Sequence, residues 1–170
     1  SSDLKDATFV RYWDKAATEG AGANSTGLLM CFKKGIFYIV DVIKGQWSPF
    51  QREEIIKITA GFDKQNYGFV NIWTEMEPGS GGKESALNTV KNLSGYSIHW
   101  DRPTGSKDIR FMPFCVQAEA GNVYIKKANW TQEYIEELIM FPNNTFKDQV
   151  DATSGAFKCL TSTGWTRTIS

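Results

Sequence analysis

The sequence predicts an α/β fold: a mixed sheet that opens with three antiparallel strands and continues through helical crossovers into further strands, with helices on both faces. Two observations predict it. Aromatic and β-branched residues crowd into three early runs with short connections, and capped or amphipathic segments then alternate with short apolar runs.

Thr8–Asp14 (TFVRYWD), Gly27–Phe32 (GLLMCF) and Ile36–Val42 (IFYIVDV) read as consecutive antiparallel strands, the last two joined by a tight Lys34-Gly35 turn. The run EGAGANSTG before the second strand reads as a mobile hairpin loop. Ser48-Pro49-Phe50-Gln51 supplies an N-cap serine, a proline at the first helical position and a glutamine three residues after the cap, so a helix over Pro49–Phe62 follows. A turn at Asp63–Gly68 leads into a strand at Phe69–Glu75 (FVNIWTE), then a glycine-rich bend and a helix at Glu84–Leu93. Tyr96–Trp100 is a strand, Asp101–Lys107 (DRPTGSK) a loop, and Asp108–Ala120 a helix that Pro113 must begin or bend. A short strand at Asn122–Ile125 precedes helices at Thr131–Met140 and Asp148–Thr161. With no repeat or linker, residues 1–170 read as a single domain.

Composition narrows the function classes. At 170 residues, 41% hydrophobic and 14% aromatic, the chain is long enough for one domain with a real core. Its 19 basic residues balance 19 acidic ones, which excludes a strong overall field toward nucleic acid or anionic membrane. Polyanion binding then requires a local patch or metal ions. No run approaches the length of a membrane span, and the first residues lack a signal-peptide pattern. Cys31, Cys115 and Cys159 sit in apolar surroundings and read as buried free thiols of a reducing cytoplasm. His99, the single histidine, reads as a packed structural residue beside Trp100, and zinc has no sequence support. Tyr12, Trp13, Trp47, Trp73 and Trp130 read as core or sheet-face aromatics.

Acidic residues collect at element ends. Asp14 closes the first strand and Glu75 the strand after the first helix; Glu77 shares the Glu75 face if extended backbone lasts to Pro78. Asp148 and Asp151, three apart at a helix start, lie on one side of it. Converging carboxylates can hold Mg²⁺ or Mn²⁺, and two such ions activate water and stabilise the leaving oxygen of a phosphodiester. The plain alternative stays open, because acids at strand ends and in first helical turns are ordinary. Lys83, Lys91, Arg102, Lys107 and Arg110 form a locally basic stretch suited to DNA phosphates or to a solvated surface. Gly79-Ser80-Gly81-Gly82-Lys83 is too short for a nucleotide-binding loop and Glu84 follows it, so no bound nucleotide is expected. It reads as a flexible turn near a DNA backbone or as an ordinary strand-to-helix turn.

The element order is that of the ribonuclease H-like architecture. In addition, RYWDKAAT from Arg11, the run from Asp41-Val42 to Trp47-Ser48-Pro49, EMEPGSGGK from Glu75, RPTGSK from Arg102, QAEAGNV from Gln117 and DQVDA from Asp148 occur in this order. Together they resemble the C-terminal nuclease domain of tailed-bacteriophage large terminases over nearly the whole chain. The resemblance implies an endonuclease that uses two Mg²⁺ or Mn²⁺ ions to cut concatemeric double-stranded viral DNA, with little sequence specificity, at the start and end of packaging. It implies Asp14 as the central metal bridge, Glu75 and Asp148 as the second and third ligands, Asp151 as a further or supporting ligand, and Glu77 as a possible exchange for Glu75. Lys83, Arg102, Lys107 and Arg110 are the matching candidates for DNA contact. Implied partners are the terminase ATPase domain, the portal and the small terminase subunit, acting at the procapsid in the host bacterial cytoplasm. Family members commonly carry His-Asp before the last acidic motif, whereas this chain carries Phe146-Lys147. Two other readings are a structure-selective junction resolvase of the same fold and a non-catalytic module that docks on DNA or portal.

Overall fold

The computed structural model describes the backbone of residues 2–16 and 24–169 and side chains up to residue 162. Strands β1 (Thr8–Asp14), β2 (Ser25–Lys33) and β3 (Ile36–Gly45) pair antiparallel in succession. They are followed by α1 (Pro49–Tyr67), β4 (Val70–Glu75), α2 (Ser80–Asn92), β5 (Ile98–Asp101), α3 (Lys107–Glu119), β6 (Val123–Ile125), α4 (Thr131–Met140) and α5 (Asp148–Ile169). The sheet order is β5-β4-β1-β2-β3-β6, with β4 parallel to β1, β5 parallel to β4 and β6 parallel to β3. Trp13 pairs with Thr74 and Glu75 with Asp101, so the carboxyl ends of β1, β4 and β5 finish in one row.

Side chains alternate across this sheet as extended backbone requires. Val10, Tyr12, Leu28 and Met30 point to the layer built by α3, α4 and α5, meeting Phe111, Tyr134, Ala156 and Phe157. Phe9, Trp13, Leu29 and Ile72 point the other way, against Ile56 and Ala60 of α1 and Leu93 after α2. Two glycines permit unusually close contacts. A Cβ on Gly155 of α5 would lie 2.2 Å from the Tyr12 ring, and one on Gly27 would lie 2.5 Å from the Trp13 ring.

Arg11 is the exception among the inward residues of β1. It is 2% exposed and grips Asp63 of α1 through Nε and Nη2 at 2.8 and 2.7 Å. Asp41 of β3 at 3.0 Å and the Gly27 carbonyl at 3.1 Å complete its surroundings. A bidentate, fully hydrogen-bonded pair of this kind makes a buried charge tolerable.

Several boundaries differ from expectation. Of the expected hairpin loop, residues 19–23 lie outside the described residues, and β2 already begins at Ser25. Helix α1 runs past Asp63 to Tyr67 because the Arg11 contact draws Asp63 into the helix; Gly68, at φ 78°, then ends it with its N–H on the Lys64 carbonyl. The glycine-rich run is the first turn of α2: Gly79 takes φ 96°, and a Cβ on Gly82 would lie 2.2 Å from the Glu77 carbonyl oxygen. A turn closed by the Tyr96 N–H on the Leu93 carbonyl delays β5 to Ile98. Helix α3 continues through Pro113, whose exposed side of the helix turns to solvent, and α5 runs on to Ile169. His99 packs on Trp73 with ring centroids 4.8 Å apart, and Cys31, Cys115 and Cys159 form no disulfide among the described residues. Among the described residues no helix is long and apolar enough to cross a membrane.

Gly155→Ala tests the closest interlayer contact. Alanine favours a helix interior over glycine by about 1 kcal/mol, yet here the added methyl meets a buried ring whose hydroxyl is held by Asp101. The variant is expected to lose about 1–3 kcal/mol, measured as a lower denaturation midpoint at unchanged m-value.

Candidate metal centre

The acids that close β1 and β4 share the face covered by α5. Asp14 follows Tyr12 by two residues and Glu75 follows Trp73 by two, so both side chains project toward that layer. Asp148 and Asp151 arrive from above, on the first turn of α5. Their position is secured by Glu137 of α4, whose carboxylate accepts the Val150 N–H at 2.7 Å and the Gln149 side-chain amide at 2.9 Å. Asp148 Oδ2 in turn accepts the Asn24 N–H at 3.3 Å, tying the start of α5 to the start of β2. Four acids predicted from the sequence are thus brought to one place by two strand ends and one helix end.

Their electrostatics are those of crowded anions. Asp14 is 6% exposed. Burial pushes its pKa well above the usual carboxylate range; a hydrogen bond with Glu75 and the charges of Glu75, Asp151 and Asp148 push it further. Asp148 is also raised, mainly by burial and then by Asp151 against the Asn24 bond. Glu77, just beyond β4, is raised by burial and by Glu75. Among the described residues, no three His, Cys, Asp or Glu side chains stand in a finished metal-binding arrangement. The acids converge, with a lysine set among them.

That lysine is Lys107, the first residue of α3, whose Nζ lies 2.7 Å from Asp151 Oδ2. Burial works against its charge, but the Asp151 bond and the charges of Asp151 and Asp14 raise its pKa overall. The other predicted DNA contacts occupy separate surroundings rather than one basic stretch. Lys83 and Lys91 line a cleft of about 1140 Å³ between α1 and α2, which Glu53, Glu75, Glu77 and Glu84 also line. Arg102 lies over the Trp100 ring at 5.8 Å and contacts the Met76 sulfur. Arg110 keeps its Nε buried without a hydrogen-bond partner among the described residues.

Two residues at the site are not singled out by the sequence reading. Asp101, paired with Glu75 in the sheet, accepts the Tyr12 hydroxyl at 2.7 Å and the Lys158 ammonium at 2.5 Å. Its charge is therefore committed to holding α5 on β1. Lys15 follows Asp14 but turns to the α1–α2 side, where Ser85, Thr89 and Glu53 surround it and burial lowers its pKa to about 8. Its signal was a lysine directly after a strand-ending acid, a pattern too common to read alone.

The Asp14 shift has a defined pH consequence. With its folded pKa raised above the unfolded value, the native state holds a proton that the unfolded chain has released. Stability from this group is therefore full below the unfolded pKa and is lost as pH rises through the folded pKa. In EDTA, Asp14→Asn is expected to melt above wild type at pH 8, with the gap shrinking toward pH 4; thermal melts across that range measure it.

The sequence matches the family described as Terminase RNaseH-like domain over residues 11–158. No curated protein sequence matches it. Among solved structures, the Mn-soaked, inhibitor-bound terminase nuclease domain of human cytomegalovirus superposes with a TM-score of 0.71 at 10% identity, covering 95% of this chain and 87% of that one. The magnesium-bound large terminase nuclease of thermophilic phage G20c gives 0.65 at 11%, covering 91% and 82%. The large terminase of thermophilic bacteriophage D6E gives 0.52 at 12%, covering 76% of this chain but 30% of that one. These likenesses show the fold, and with the family match spanning most of its length the chain belongs to the ribonuclease H-like terminase domains.

Proposed function

We propose that this domain is a divalent-metal-dependent endodeoxyribonuclease that cuts concatemeric double-stranded viral DNA during genome packaging. The observation that carries the reading is the buried Asp14 carboxyl, massed with Glu75, Asp148 and Asp151 on one face of the sheet. Oxygen-only donors such as these carboxylates suit a hard cation such as Mg²⁺ or Mn²⁺. Terminase nuclease domains have been solved with manganese, magnesium or zinc, which supports divalent metal in this family.

Asp14, which interacts with strand-end and helix-end acids alike, would be the ligand shared between two ions, with Glu75 and Asp148 as the second and third ligands. Asp151 and Glu77 stand next in reach. Two such ions, when bound, would activate a water and offset charge on the leaving oxygen of the phosphodiester. The chain's own part is to orient the acids: β1 and β4 hold two in parallel register, and the Glu137 cap fixes the helix that carries the others. The glycine-rich run, shorter than a nucleotide-binding loop, forms the tight start of α2. DNA is the substrate, and the partners that fit a terminase domain are its ATPase domain, the portal and the small subunit, in the host bacterial cytoplasm.

Supercoiled plasmid incubated with Mn²⁺, Mg²⁺ or EDTA tests the proposal. Wild type should nick and linearise plasmid with either metal and not in EDTA, and Asp14→Asn should lose at least about a hundredfold in rate, the scale of removing one charge-stabilising group. Undiminished cleavage by Asp14→Asn would sink the reading. Cleavage confined to four-way junctions would make the domain a resolvase, and metal-independent DNA binding without cleavage at high protein concentration would make it a docking module.

A further inference from the structure

The acidic centre carries a cation of its own. Lys107 Nζ bonds Asp151 at 2.7 Å, and its charge also acts on Asp14, Glu77 and Asp148, so one ammonium serves four of the acids named above. Its setting differs from that of the other charge on β1's neighbourhood, Arg11, which is gripped at two points and sealed from water. Among the described residues Lys107 pairs with Asp151, and its side chain is 49% exposed, so water is at hand to receive it. It is also the first residue of α3, where a positive charge opposes the helix dipole, and Arg110 one turn later repels it. Everything that holds this ammonium in place is the negative charge of the acids.

We propose that Lys107 is an exchangeable counter-ion: in the metal-free protein it neutralises Asp151 and its neighbours, and a divalent metal must displace it to engage them. This inference rests on the metal-centre reading above. Asp151 then has two alternative partners, a lysine or a metal, and metal loading is a cation exchange rather than simple filling of a preformed cage. The arrangement also gives these crowded carboxylates a cation of the chain's own in the absence of metal, through the Lys107–Asp151 pair.

The test is calorimetric titration of Mn²⁺ into the DNA-free domain, comparing wild type, Lys107→Met, Lys107→Arg and Asp14→Asn, with thermal melts of each in EDTA and in Mn²⁺. Lys107→Met is expected to bind Mn²⁺ roughly tenfold more tightly, the scale of removing one like charge a few ångströms away in a half-solvated site. It should also melt below wild type in EDTA and recover in Mn²⁺, while Lys107→Arg keeps wild-type affinity. Unchanged or weaker binding by Lys107→Met, with binding still abolished in Asp14→Asn, overturns the exchange and leaves the metal centre standing. Absence of Mn²⁺ binding in wild type and Lys107→Met alike, or binding indifferent to Asp14→Asn, overturns both.

Discussion

The contact between Gly155 and Tyr12 is the constraint on which the rest of the site depends. Helix α5 lies so close to β1 that no side chain fits between them, and the Tyr12 hydroxyl beneath it reaches Asp101, which Lys158 of the same helix also grips. One aromatic ring, one missing methyl and one shared carboxylate thus set the height of α5 over the sheet. That height decides whether Asp148 and Asp151 meet the strand-end acids. The Glu137 cap then fixes the position of the helix start, where those two residues sit.

Strand β1 carries two buried charges three residues apart, treated in opposite ways. Arg11 faces α1 and is neutralised by Asp63 and Asp41 through short, two-point contacts. Asp14 faces α5 and is surrounded by further acids. Burying a charge is expensive unless it is paired, so the first arrangement secures the fold while the second holds anions together that would otherwise repel. The two faces of one sheet thus treat buried charge in opposite ways, paired toward α1 and crowded toward α5.

Much of this was legible in the sequence, for local reasons. The capping box at Ser48, the alternation in β1 to β3 and the turn at Lys34-Gly35 act over a few residues, and each element appears where its pattern lies. Asp14 and Glu75 could be put at strand ends because their apolar runs stop there, whereas the pairing of β4 beside β1 emerges only from the folded sheet. The approach of Asp148 to Asp14 could not be derived from spacing, since it rests on a glycine–tyrosine contact between residues far apart in the chain. Asp101 escaped notice because DRP looks like loop, while its pairing opposite Glu75 makes it strand. Asp63 looked like a turn residue, but its bond to Arg11 keeps it helical. Lys107 looked like a phosphate contact; only the three-dimensional meeting of α3 and α5 reveals it as a partner of Asp151.

Whether these acids form one metal centre is decided most directly by anomalous diffraction from a crystal of the domain soaked in Mn²⁺. The expected result is anomalous density beside the Asp14, Glu75 and Asp148 carboxylates. Manganese bound only elsewhere, with no density at those three acids, would contradict it.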